Sequence, residues 1–93
     1  MDFHVYHNSV SNRFEANVNS GLCELDYEKV GMGTLDYKRT FVPENSRHQG
    51  FGHKLVQEAL EYAKEEQYRV KPTCPFVKSV IEEDKERYRD VVV

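Results

Sequence analysis

The sequence predicts an α+β domain: an antiparallel meander of about four strands, then a helical crossover to a parallel fifth strand and a C-terminal helix. Three observations predict it. Apolar and polar residues alternate in short runs between residues 3 and 42, with turn-forming residues at each break. From Gly52 onward the period becomes that of an amphipathic helix. One short β-rich run follows that helix, at the connection length a parallel pair requires.

Taken in order, residues 3–7 are aromatic and β-branched and form the first strand, and Asn8 to Asn12 supplies its turn. "RFEANV" is the second, with Phe14, Ala16 and Val18 on one face, and "NSG" at 19–21 turns the chain again. A third strand runs from Leu22 to Tyr27, and "KVGMG" is a loose turn. The fourth runs from Thr34 to Val42, its alternation placing Leu35, Tyr37, Arg39 and Phe41 on one face. Leu55, Val56, Ala59, Leu60 and Ala63 then form a helical stripe. "YRVKPT" at 68–73 is the fifth strand. "PFVKSVIEEDKERY" is a second helix with Pro75 in its first turn, where a missing N–H costs nothing, and "RDVVV" is a tail docked as an edge.

With 93 residues the chain has room for a single domain, residues 1–93, with a thin core. It is 39% hydrophobic and 31% charged, with a net charge of −3, so no global basic footprint marks a nucleic-acid partner. No apolar run reaches the ~18 residues of a membrane span, and the amino end lacks the pattern of a secretory leader. Cys23 and Cys74 form neither a disulfide framework nor a CxxC pair. The expected location is intracellular, in the cytoplasm. His4 and His7, three apart on a strand, point to opposite faces, so no metal is expected.

The chemistry concentrates in "TFVPENSRHQGFGHKLVQEAL", where Arg47, Gly50 and Gly52 stand at the start of a helix. First-turn amides have no internal acceptor and carry the positive end of the helix dipole. Glycines clear Cβ atoms from them, and Arg47 adds a forked cationic donor. Two readings fit the spacing: an anion cradle sized for a phosphate or diphosphate, and a helix N-terminus that uses glycine to turn tightly. A Walker A loop is excluded because no Gly-Lys-Ser/Thr occurs, and the dinucleotide fingerprint because Leu55 stands where its third glycine belongs.

"VPENSRHQGFGHKLVQEAL" resembles the coenzyme A diphosphate loop of the GNAT N-acetyltransferases, whose pattern is Gln/Arg-x-x-Gly-x-Gly/Ala after the fourth strand. The "T-x-VP" strand ending, "PTCPFV" and "YRDVVV" are similar to the small single-domain YjdJ-type branch, and the resemblance covers about residues 13–93. It implies a minimal GNAT fold whose fourth and fifth strands splay apart around the pantetheine arm of acetyl-CoA. By this resemblance Phe41 and Val42 offer backbone contacts to pantetheine. Arg47, His48, Gln49, Gly50, Phe51 and Gly52 hold the diphosphate, with His53 and Lys54 close enough to assist.

Acetyl transfer to an amine also needs the amine unprotonated; at a pKa of about 10.4 that is a deficit of ~4–5 kcal/mol at neutral pH. The branch commonly has a histidine before the Thr of "T-x-VP", where this chain has Arg39, which cannot act as a base. Two placements are open for Arg39: over the cleft, or in a surface ion pair. Two are open for Cys74, which follows the fifth strand: a thiolate at the mouth of the gap that takes a proton or the acetyl group, with Arg39 lowering its pKa, or a small buried side chain. The short first turn leaves the acceptor side open and shallow, suited to a flexible amine or a protein tail. The expected function is acetyl-CoA-dependent N-acetylation of a primary amine; the alternatives are a CoA-binding module with weak or no catalysis and an interaction domain that binds no nucleotide.

Overall fold

The computed structural model describes residues 3–93. Five strands, β1 (Tyr6–Asn8), β2 (Arg13–Val18), β3 (Gly21–Val30), β4 (Thr34–Phe41) and β5 (Arg69–Lys71), form one sheet in sequence order. The first three pairings are antiparallel and β4 pairs β5 in parallel. A short 3-10 turn (Glu44–Ser46) and helix α1 (Phe51–Glu65) make the crossover, and α2 (Pro75–Glu83) and α3 (Lys85–Tyr88) follow β5. The meander, the crossover and the parallel fifth strand stand as the alternation and spacing predict.

One face of the sheet is the core. Phe14, Ala16, Leu25, Leu35, Tyr37 and Val70 are buried against the stripe Leu55, Val56, Ala59, Leu60 and Ala63 of α1. Burying a leucine or valine fully contributes about 1.5–3 kcal/mol, so this stripe, rather than helix propensity, holds α1 in place. Val77, Val80 and Ile81 dock α2 on the same core. The tail lies along β5: Val91 is buried, and Val70 exchanges backbone bonds with Val91 and Val93 at 2.7 and 3.0 Å.

Several boundaries differ from the sequence reading. β1 begins only at Tyr6. β3 continues through Lys29 and Val30 because pairing with Leu35 and Thr34 sustains it after its own alternation fades into exposed residues. The second helix is two: Asp84 leaves the helical region at φ −146°, ψ 60°, and α3 turns so that Tyr88 reaches the core. No helix among the described residues is long and apolar enough to cross a membrane, and none of their His, Cys, Asp and Glu side chains form a metal-holding group of three.

The most consequential difference lies inside β4. Asp26 pairs Arg39 and Tyr27 pairs Tyr37, so Lys38 is an extra residue, a β-bulge. The inserted residue exchanges the faces of everything after it. Leu35 and Tyr37 face the core, but Arg39 and Phe41 fall on the opposite face and Thr40, opposite Leu25, takes the core side. The outer face carries an ion-pair network instead of a helix. Arg13 reaches Glu24 at 3.0 Å and Asp26 at 3.1 Å, and Arg39 reaches Asp26 at 3.0 Å.

At the β1 edge, His7 stacks on Phe14 with ring centroids 4.6 Å apart, and its Nε2 lies 2.6 Å from the Tyr27 hydroxyl. Burial, followed by the charge of Lys29, lowers its pKa. The unfolded chain therefore takes up a proton first as pH falls. This contribution to stability is intact above the ordinary histidine value of 6.5, is lost as pH drops from there toward the folded-state value, and is gone below it. His7→Phe is expected to flatten the melting temperature across that window; an unchanged slope in melts of the two proteins assigns the pH dependence elsewhere.

Candidate functional site

The pairing of β4 with β5 ends at Asp36 and Lys71. Thr73 donates to the buried Asp36 carboxylate at 2.5 Å and Cys74 N–H to the Tyr37 carbonyl at 2.9 Å, which ties the strands at the point where they part. Beyond it the chain turns into α2 at Pro75, and a cavity of about 480 Å³ opens beside the free stretch of β4. Thr40 and Val42 form its strand wall, Phe51 and Gly52 its helix wall, and Phe76 of α2 closes the third side. Arg47, His48 and His53 also line it, and no acidic residue does.

The turn that opens α1 is shaped by two left-handed residues, His48 at φ 66° and Gly50 at φ 82°. A chain that switches hand in this way brings successive N–H groups to one concave side, the arrangement that holds anions. Gly50 is the N-cap, and the first intrahelical bond runs from Lys54 N–H to the Gly50 carbonyl at 3.1 Å. The amides of Phe51, Gly52 and His53 therefore have no intrahelical acceptor.

The two glycines act for different reasons. A Cβ at Gly50 meets nothing within 4 Å, so the demand there is conformational. A Cβ at Gly52 meets Phe76 and Val42 side chains, each at 3.2 Å, so Gly52 makes room for the cavity walls themselves. Arg47 is tied back to the strand, its Nε donating to the Val42 carbonyl at 2.9 Å, and its terminal nitrogens make no hydrogen bond among the described residues. His53 Nε2 lies 3.2 Å from Glu83 of α2, joining the two helices beside the cavity.

Of the residues expected at a cofactor site, Val42, Arg47, His48, Gly50, Phe51, Gly52 and His53 line this cavity. Phe41, Gln49 and Lys54 do not. Phe41 lies on the outer face, with the guanidinium of Arg39 5.4 Å from its ring centroid and that of Arg47 5.8 Å away. Gln49 faces a neighbouring cavity, and the Lys54 side chain is exposed on α1.

Of the two placements open for Arg39, the structure shows the surface ion pair, and the bulge is the reason. Arg39 is engaged by Asp26 across the sheet from the cavity, so it does not stand over the cleft or beside the thiol. At 55% exposure that ion pair contributes less than ~1 kcal/mol. Cys74 is 6% exposed and sits behind the cavity wall, its Sγ 3.6 Å from Thr40 Oγ1.

Sequence reasoning missed Thr40, Ser46 and Phe76 as cavity residues. Thr40 was legible only through the bulge. Phe76 follows Pro75 at the head of an amphipathic helix, yet stays 41% exposed because it faces the cavity.

A sequence model of the family described as GCN5-related N-acetyl-transferase matches residues 13–91. The chain is 32% identical over 60 residues to Protein NATD1 of Xenopus tropicalis and 33% identical over 60 residues to that of Bos taurus. Each match covers 64% of this chain, and 55% and 53% of the relatives, so the chain spans about half the length of the curated relatives it matches. The fold is similar to the solution NMR structure of a GCN5-like protein from Staphylococcus aureus, with a TM-score of 0.72 and 26% identity over 97% of this chain and 87% of that one.

Proposed function

This chain belongs to the GCN5-related N-acetyltransferase family, and we propose that it transfers an acetyl group from acetyl-CoA to a primary amine, with a basic protein tail as the acceptor class. The observation that carries this is the joining of a strand-gap cavity to an acid-free helix start whose first-turn amides have no internal acceptor. When bound, acetyl-CoA supplies an activated acetyl thioester. The residues present fit its parts. The amides of Phe51, Gly52 and His53, with Arg47 at the rim, suit the diphosphate, and the left-handed His48 and Gly50 aim them. The edge of β4 from Lys38 to Phe41, left without a β5 partner, suits the pantetheine arm, which would add to it like a strand. Phe76 and Val42 exclude water on either side.

Thr40 and, behind it, Cys74 mark the thioester end. As its thiolate, Cys74 is the group that would take the proton of the amine, or would take the acetyl group as the C–S bond to CoA breaks and CoA thiolate leaves; intact-mass analysis after exposure to acetyl-CoA distinguishes the two by the presence of an acetylated cysteine. The short turn between β1 and β2, with no helix inserted there, leaves the acceptor side open, which supports a flexible tail over an enclosed metabolite. We place the chain in the small YjdJ-type branch on "PTCPFV" and the "T-x-VP" strand ending, with Arg39 as its departure from that branch.

A second reading, a CoA-binding module with weak or no catalysis, is favoured by one observation: Arg39 is held on the far face and Cys74 is buried, so neither stands free in the cavity. Two measurements separate the readings. Titration with acetyl-CoA is expected to shift the backbone amides of residues 47–54, and incubation with basic peptides, polyamines and amino acids to yield an acetylated product from at least one. Shifts without product favour the second reading, and no shifts at these residues sink both.

A further inference from the structure

We propose that Asp36 is a positioning residue: through Thr73 it fixes the segment that carries Cys74 and Phe76, and so sets the width of the gap between β4 and β5. This rests on the acetyl-CoA reading above, because the gap is where the pantetheine arm is proposed to lie. Asp36 is the one carboxylate buried among the described residues, at 7% exposure. Among those residues it meets no cation in an ion pair, and the one hydrogen bond to its side chain comes from Thr73 Oγ1 at 2.5 Å. A carboxylate taken out of water with a single hydroxyl in return is a poor device for stability. Its place in the sheet gives it another use.

The parallel ladder stops at the pair Asp36 and Lys71. Pro72 comes next and has no N–H to continue it. The chain bends there, with Thr73 N–H donating to the Lys71 carbonyl at 3.0 Å. Three links then fasten the bent segment to β4. Cys74 N–H donates to the Tyr37 carbonyl at 2.9 Å, Cys74 Sγ lies 3.6 Å from Thr40 Oγ1, and Thr73 reaches Asp36. Leu35 and Tyr37 are buried in the core, so Asp36 between them points to the opposite face, whereas Thr40 is on the core side. The segment is thus gripped from both faces and resists pivoting about the central Cys74–Tyr37 bond. Phe76, two residues beyond Cys74, is the wall that faces Thr40 and Val42 across the cavity. A pivot of this segment would move that wall, and with it the space left for a ligand arm.

The test sets two ligands against each other by calorimetric titration: CoA, and adenosine 3′-phosphate 5′-diphosphate, which keeps the diphosphate and lacks the pantetheine arm. Asp36→Leu removes the hydrogen bond and keeps the buried volume. It is expected to weaken CoA about tenfold, as a wall displaced by an ångström does, and to leave the armless nucleotide unchanged. Its melting temperature is expected at or above that of the wild type, because a buried charge is gone. Asp36→Asn still offers Thr73 an acceptor and is expected to restore wild-type CoA affinity. Thr73→Val, at an exposed position, tests the same bond where Asp36→Leu fails to fold, and the double substitution is expected to lose no more than either alone. Wild-type CoA affinity in Asp36→Leu and Thr73→Val overturns the positioning role while the diphosphate cradle stands. Equal weakening of both ligands overturns it too, because the effect is then on the fold or the cradle. An Asp36→Asn variant as weak as Asp36→Leu does the same, since the acceptor is then not what matters. If wild-type protein binds neither ligand, the cofactor reading has failed and this inference falls with it.

Discussion

Gly50→Val is expected to weaken CoA binding by about 100-fold, the ~3 kcal/mol lost when two amide bonds to a charged group are blocked. The substituted Cβ projects into open space at the cap of α1, where the diphosphate is proposed to rest. At φ 82° an L-residue also costs ~1–2 kcal/mol in the fold itself, so the melting temperature should fall alongside affinity. Gly50→Asn separates the two effects, because asparagine tolerates the left-handed region while still placing a side chain there. It is expected to retain most of the stability and to lose most of the affinity. Calorimetric titration beside a thermal melt reads both; wild-type affinity in Gly50→Asn removes the cradle from this turn.

Tyr37→Ala is expected to cost about 4 kcal/mol, a large share of the ~5–15 kcal/mol that holds a domain together. Tyr37 is fully buried in the centre of the sheet, edge-on to Phe14, and its hydroxyl donates to the Ala59 carbonyl of α1 at 2.6 Å. Burial pushes its pKa far above the ordinary phenol range, so the hydroxyl remains a donor at every pH the fold survives. Tyr37→Phe retains the ring and is expected to cost only ~1 kcal/mol. Denaturant midpoints for the two variants give the comparison. If the alanine variant is no less stable than the phenylalanine one, the ring does not join sheet to helix as described.

The helix stripe and the meander were legible because each residue's burial follows from period alone. Leu55 through Ala63 had to face a core whatever that core contained, and the structure buries all five. Face assignments in β4 were legible only as far as Tyr37. An unpaired extra residue leaves no mark on a single strand, because "DYKRTF" alternates equally well with Lys38 in or out of register. The partner decides it, when Asp26 pairs Arg39 and Tyr27 pairs Tyr37. The turn was legible in composition but only half in mechanism. Arg47, Gly50 and Gly52 marked it, yet the need for Gly52 comes from Phe76, which is distant in sequence. The left-handed conformation of His48 had only a weak signal, since histidine is enriched there but adopts it in a small minority of its occurrences.

The lacing of Val91 and Val93 onto Val70 has a practical corollary. β5 is only three residues long and would otherwise present bare amides and carbonyls to any passing extended chain. The terminal valines seal that border, so trimming them exchanges an internal seam for a sticky one, and an affinity handle is better attached elsewhere.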